Sequence, residues 1–177
     1  MSKAFRKHLV SHLKKQSKAA LEAQLLLLYD RIPQAEDFFR LQLGKATDDI
    51  FKKYCHQIQD ALYPDGSFEG GMDIDKVDHI IFTLDKLTSD IHLQVKIRIY
   101  AIQEATQLAH TYGGDYGEDF YIYFEELYEA VLIKLEQFEL SDSYRHEMLQ
   151  TAQRAYEGYG HYDVLMEHYN KYYGQNT

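Results

Sequence analysis

The sequence predicts an all-α fold: a compact bundle of about nine helices with no sheet. Three observations carry this expectation. Apolar residues recur three and four positions apart along almost the whole chain, as in Phe5, Leu9 and Leu13, which is the period of one helix face. Alternation at period two, the mark of a half-buried strand, is missing over any useful length. Only two prolines, Pro33 and Pro64, interrupt the 177 residues, and glycine is scarce outside short clusters. Long helices therefore meet few breakers.

The elements follow in order. Residues 2–15 read as one amphipathic helix, with His8 and His12 beside the Phe5, Leu9, Leu13 stripe. Ser17 is the N-cap expected for a second helix, which carries Leu21, Leu25, Leu28 and Tyr29 and stops before Pro33. Pro33 suits the first turn of a third helix, with Glu36 and Asp37 near its positive end and Gly44 after it. Thr47, Asp48 and Asp49 open a fourth, holding Ile50, Phe51, Tyr54, Ile58 and Leu62. Tyr63 to Gly71 is the longest break, with Pro64-Asp65-Gly66 as a type I turn and Gly70-Gly71 as a second bend. Asp73 caps a fifth helix (Val77, Ile80, Ile81, Leu84, Leu87), and Ser89 a long sixth running to Tyr112. After Gly113-Gly114-Asp115-Tyr116-Gly117, Asp115 and Glu118 have capping-box spacing for a seventh helix through Phe124, Tyr128 and Leu135. Ser141 with Asp142 starts an eighth ending at Gly158, and Gly160 precedes a last one with Val164, Leu165, Tyr169 and Tyr172. The expectation is one helical domain over residues 1–177, with residues 63–72 as the best place for a subdivision.

Composition fits a globular chain, with 45% hydrophobic and 27% charged residues. The single cysteine, Cys55, cannot form an internal disulfide, so an oxidising compartment is not implied. The longest purely apolar run, Leu25 to Leu28, is far short of a transmembrane span, and no apolar h-region follows the basic start. A cytoplasmic location is the expectation. Charge is uneven: residues 1–18 hold six Lys/Arg and no acid, against a net −9 for the whole chain. The remainder, at −15, repels phosphate backbones and speaks against nucleic acid as a partner of the body.

Two short blocks carry a family resemblance, Tyr112-Gly113-Gly114-Asp115-Tyr116 with Phe120-Tyr121, and Gly158-Tyr159-Gly160-His161-Tyr162-Asp163. Together with His12-Leu13-Lys14 to Leu28-Tyr29-Asp30 and Phe82 to Lys86, they resemble an uncharacterised bacterial family of small all-helical proteins, a domain of unknown function. That family often has a tryptophan near the last block, where Tyr159 or Tyr162 stands here. The resemblance implies a small helical bundle in a bacterial cytoplasm and supplies no mechanism.

The chemical motifs are mostly negative. No Asp or Glu is followed three residues later by histidine, the pattern that carboxylate-bridged di-iron bundles need. His8 and His12 share a face but lie among cations. His161 and His168, with Asp163 nearby, are the weak metal candidates, against a solvated or core-edge reading that requires nothing special. Asp73-Ile74-Asp75 and Asp115 to Glu126 depart from a calcium loop where glycine is needed. Cys55 and His56 are adjacent, so on a helix they diverge by about 100° and cannot act on one another. No nucleophile elbow or lysine-bearing phosphate loop occurs, and no cofactor is expected. The acids Glu125, Glu126 and Glu129 read as a solvated face.

Two features point to recognition. The 16 tyrosines, with no tryptophan, concentrate in the second half, and aromatic side chains dominate protein interfaces. Tyr112, Tyr116, Tyr159, Tyr162 and Tyr169 are the candidates there, and Lys3, Lys7 and Lys14 on the basic first helix. The leading expectation is a non-enzymatic helical protein that binds a protein partner or forms a homodimer. The alternatives are an enzyme or a ligand- or metal-binding protein with a site between helices, and a membrane or nucleic-acid adaptor working through the first helix.

Overall fold

The computed structural model describes residues 3–44, 46–63 and 72–174. The described residues form nine α-helices and no strand: α1 (Lys3–Leu13), α2 (Lys18–Arg31), α3 (Pro33–Gln42), α4 (Thr47–Leu62), α5 (Ile74–Leu87), α6 (Ile91–Tyr112), α7 (Glu118–Gln137), α8 (Ser141–Gln153) and α9 (His161–Tyr173). A single 3-10 turn, Gly158–Gly160, precedes α9. The turns expected at Pro64-Asp65-Gly66 and Gly70-Gly71 lie outside the described residues.

Local chemistry sets several boundaries. The Ser17 hydroxyl accepts from the Ala20 amide at 3.2 Å, and Asp73 from Lys76 at 2.8 Å. Pro33 stands in the first turn of α3. Three expected boundaries move. The cap of α6 is Asp90, not Ser89; its carboxylate accepts from both His92 and Leu93, serving two orphan amides where a hydroxyl would serve one. Gly117, at φ 81, is the N-cap of α7 and makes no side-chain cap bond. The Asp115 carboxylate accepts the Tyr159 hydroxyl at 3.0 Å instead, so the capping box does not form. Helix α8 ends at Gln153, before the Gly158 that the sequence suggests.

The chain divides into two compact units, Met1–Ala46 and Thr47–Thr177. Residues 63–72, the candidate boundary in the sequence, join α4 and α5, which pack together inside the second unit. That unit is built around α6, which packs on α4, α5, α7 and α8, while α9 packs on α7 and α8. Half of α6 is buried, including Ile97, Ile99, Ile102 and Leu108, because helices surround it and no single apolar stripe would suffice. Helix α7 supplies Phe124, Tyr128, Val131 and Leu132 to the same core, and α4 supplies Ile50 and Ile58.

The tyrosines have a structural explanation here. The hydroxyls of Tyr63, Tyr116, Tyr121, Tyr128, Tyr156 and Tyr173 each donate to a main-chain carbonyl, of Glu104, Leu108, Gly114, Met148, Gly113 and Ser141 respectively. A tyrosine therefore contributes ring bulk to the packing while its hydroxyl finds a main-chain acceptor.

The first unit is different in kind. Helix α2 packs on α3, with the Tyr29 and Phe39 rings 6.4 Å apart. Yet neither α1 nor α2 has a buried residue, and among the described residues of this unit only Asp37 and Ala46 are buried.

Candidate functional site

In the second unit the two Gly/Tyr blocks of the sequence meet in space. The ring of Tyr156 lies where a Cβ on either Gly114 or Gly158 would overlap it, and its hydroxyl donates to the Gly113 carbonyl at 3.2 Å. Tyr121, at the start of α7, donates to the carbonyl of Gly114. Tyr159 then stacks on Tyr121, with centroids 5.3 Å apart, and holds Asp115. Tyr159 has φ 58 and is 66% exposed. A left-handed non-glycine conformation costs energy, here opposed by the stack and the hydrogen bond. Gly114 is needed twice, for its φ of +73 and for the space its missing side chain leaves. Gly114→Ala is expected to destabilise the second unit by about 1–2 kcal/mol in urea unfolding. An unchanged midpoint would show that Tyr156 moves aside freely.

Beside this joint, a groove of about 650 Å³ runs between α6 and α8. Its lining includes Gln103, Gln107 and His110 from α6 and Thr151, Arg154 and Glu157 from α8 and the turn after it. Gln103 donates to Thr151 at 3.1 Å, and His110 Nε2 lies 2.9 Å from the Arg154 carbonyl. Nothing in the sequence signals this groove, because its residues are ordinary helix residues until the packing of α6 against α8 brings them together.

His161 and His168, although on one helix, serve different carboxylates. His161 Nδ1 donates to Glu125 Oε1 at 2.8 Å, with both side chains largely buried. His168 Nδ1 lies 3.5 Å from Glu129 Oε1, which also accepts from Lys171 at 2.7 Å. Asp163 is exposed. Among the described residues no three His, Cys, Asp or Glu side chains form a group that could hold a metal ion. Two of the three acids read as a solvated face therefore have partners, and Glu126 is the exposed one. Burial raises the Cys55 thiol to about 12, which removes it as a nucleophile at neutral pH.

Burial also pushes His161 below its ordinary value of 6.5, and Glu125 opposes that shift. Near pH 7.5 the imidazole is neutral folded or unfolded. As pH falls below 6.5 the unfolded chain takes up a proton that the folded chain resists, so stability drops until the lowered folded-state value is passed. His161→Gln, which can still donate to Glu125, should show a smaller loss of stability between pH 7.5 and 5.5 than the parent chain. Equal losses in urea unfolding would remove His161 from the cause.

The recognition candidates separate. Tyr112 and Tyr159 are exposed, Tyr116 and Tyr162 half-buried. Tyr169 is buried against Tyr173 with centroids 4.7 Å apart, which makes it a core residue without a surface to offer. Lys3, Lys7 and Lys14 are exposed on or just beyond α1.

The largest uncovered apolar surface belongs to the first unit, and sequence reading missed its extent. Eleven of the 17 exposed large hydrophobic residues among those described fall in Met1–Ala46. They include Phe5 at 62%, Leu26 at 63% and Leu43 at 71% exposed. The signal was the run Leu25-Leu26-Leu27-Leu28, whose four side chains point to every side of a helix. Such a helix needs neighbours all round, and α3 alone leaves all four leucines more than 40% exposed. Residues 1–46 also carry nine Lys/Arg against four Asp/Glu, a net +5, and residues 47–177 carry the compensating −14. Among the described residues no helix is long and apolar enough to cross a membrane.

Comparison with protein-family models, curated proteins and solved structures returned no match for this chain.

Proposed function

We propose that this chain is a non-enzymatic helical protein that acts by binding protein, and that it associates with itself through its first unit. The observation that carries the reading is the exposed leucine run of α2. Isolated helices of 11 to 14 residues are marginal in water without an apolar face buried against something, so a unit that buries almost nothing is stabilised by what docks on it. Exposed apolar patches of this extent mark association surfaces. The −14 on residues 47–177 disfavours polyanionic partners for that unit.

Sedimentation velocity across a hundredfold range of concentration tests this. A dimer or larger species is expected for the parent chain. Leu26→Glu combined with Leu27→Glu should shift it to monomer while leaving the second unit folded by circular dichroism. A parent chain that stays monomeric throughout would overturn the reading.

A second reading, a small polar ligand bound by the second unit, draws on the α6–α8 groove with its three glutamines, His110, Arg154 and Glu157. A thermal-shift screen of amino acids, nucleotides and sugars would support it by a saturable rise in melting temperature.

A further inference from the structure

We infer that the ligand of the α6–α8 groove is a basic α-amino acid, of the lysine or ornithine class. The inference rests on the second reading above and names the chemistry of its ligand.

Hydrogen bonds inside the groove decide which atoms it can offer. Thr151 spends its O–H on the Glu147 carbonyl at 2.9 Å, so it can only accept from Gln103 Nε2, 3.1 Å away. On α6, Thr111 donates to the Gln107 carbonyl at 2.8 Å and accepts from Gln107 Nε2 at 3.0 Å. Both amide nitrogens are thereby committed, and each glutamine keeps its Oε1 as an acceptor. His110 Nε2 lies 2.9 Å from the Arg154 carbonyl and must carry the proton there, which makes Nδ1 an acceptor in the neutral ring. Gln103, Gln107 and His110 stand at i, i+4 and i+7 of α6, so the three acceptors belong to one face of that wall. Thr106, 7% exposed, lines the groove beside them, and its hydroxyl has no hydrogen-bond partner among the described residues. Native folds rarely leave a buried hydroxyl so. Threonine divides between two rotamers in a helix, so the unfixed hydroxyl can turn to a seated donor.

Three charged side chains complete the lining: Glu104 on α6, half-buried, and Arg154 and Glu157 at and after the end of α8, both exposed. Among the described residues none of the three forms an ion pair. A ligand that answers all of them carries one negative and two positive charges. A nucleotide would set phosphates against two carboxylates and against a unit of net −14. A neutral sugar would cover three charges and answer none, which costs desolvation without return. A polyamine would answer the carboxylates and confront Arg154, and a neutral amino acid would leave one carboxylate over. A basic amino acid has one group for each: a carboxylate for the guanidinium fork, an α-ammonium for Glu157 and a side-chain ammonium for Glu104. Glu104 and the His110–Arg154 contact are six residues apart along α6, about 9 Å of helix, a length that an extended basic amino acid covers. The row of acceptors between them takes the remaining N–H donors, and Ala155 with the Tyr156 ring offers apolar surface to the methylenes.

Isothermal titration calorimetry of the full chain with L-lysine and L-ornithine tests this. Saturable binding is expected, weakened at least about tenfold for lysinamide, which lacks the carboxylate, and for norleucine, which lacks the side-chain ammonium. Arg154→Gln should bind lysine and lysinamide alike, and Glu104→Gln should bind lysine and norleucine alike, both with the parent's helix content by circular dichroism. Lysine that binds both variants as it binds the parent sits elsewhere, and that result would overturn the inference. A saturable response to a sugar or a nucleotide, with none to either basic amino acid, would also overturn it and leave the small-ligand reading standing. No response to any of these would overturn both.

Discussion

Tyr128→Ala is expected to destabilise the second unit by about 3–5 kcal/mol, the largest single-residue effect in the molecule. Tyr128 is fully buried, and it is the largest of the side chains with essentially no exposure. Its hydroxyl donates to the Met148 carbonyl at 2.9 Å, fastening the middle of α7 to α8. Burial raises the phenol well above its ordinary value, with Tyr173 and Tyr169 close enough to add to the shift, so the group stays neutral at every usable pH. Truncation to alanine leaves a cavity that three packed helices cannot close without moving apart. Tyr128→Phe separates the two contributions: it keeps the ring and removes only the hydroxyl's bond to the Met148 carbonyl, at a cost of about 0.5–1.5 kcal/mol. The measurement is urea unfolding followed by circular dichroism, with the alanine and phenylalanine variants side by side. An alanine variant within about 1 kcal/mol of the parent would mean that α7, α8 and α9 repack around the gap, contrary to the density of this core.

Much of this fold was legible because helix signals are local. Ser17, Pro33, Asp73 and Gly113 each act within a turn of their own position, and the caps they provide depend on nothing distant. The capping box at Asp115 failed because its carboxylate had a distant competitor, the Tyr159 hydroxyl, 44 residues away in sequence. The Gly/Tyr blocks stood out as patterns, but their meeting through Tyr156 is a tertiary fact that no periodicity encodes. Likewise, His161 and His168 share a helix face in sequence and part company only because Glu125 and Glu129 lie a turn apart on the helix opposite. The tyrosine count points to recognition in the sequence alone; six hydroxyls turned to main-chain carbonyls show that much of it is architecture. The leucine run of α2 was visible from the start. Its exposure was not, since a buried and an uncovered apolar helix have the same sequence.

Breaking the bidentate ion pair between Arg98 and Asp85 should have the second largest effect. Arg98 on α6 donates from Nη1 and Nη2 to the two carboxylate oxygens of Asp85 on α5, at 3.0 and 2.5 Å, and Nη1 also reaches the Gln94 carbonyl at 2.8 Å. Gln94 in turn donates to the Thr88 carbonyl at 2.8 Å and accepts from Lys134 of α7 at 2.7 Å. Three helices and the α5–α6 connection thus share one network. The Arg98 side chain is 11% exposed and that of Asp85 27%, so the pair is partly screened and falls below the range for a fully buried one. Arg98→Met should cost about 2–3 kcal/mol, because it leaves the Asp85 carboxylate without its fork. Arg98→Lys should recover little of this, since an ammonium cannot hold both oxygens and the Gln94 carbonyl in one plane. Lys134 makes the loss asymmetric. Burial first, and Arg98 second, lower its proton affinity; without Arg98 it is left as the cation nearest Asp85 and limits the damage. Removing the acid instead, by Asp85→Leu, leaves two cations facing each other, and should cost more than Arg98→Met. In the double variant Asp85→Leu with Arg98→Met neither charge is stranded, so the double should be more stable than Asp85→Leu alone. A double variant whose cost equals the sum of the two single ones would show that the pair contributes nothing beyond its separate side chains.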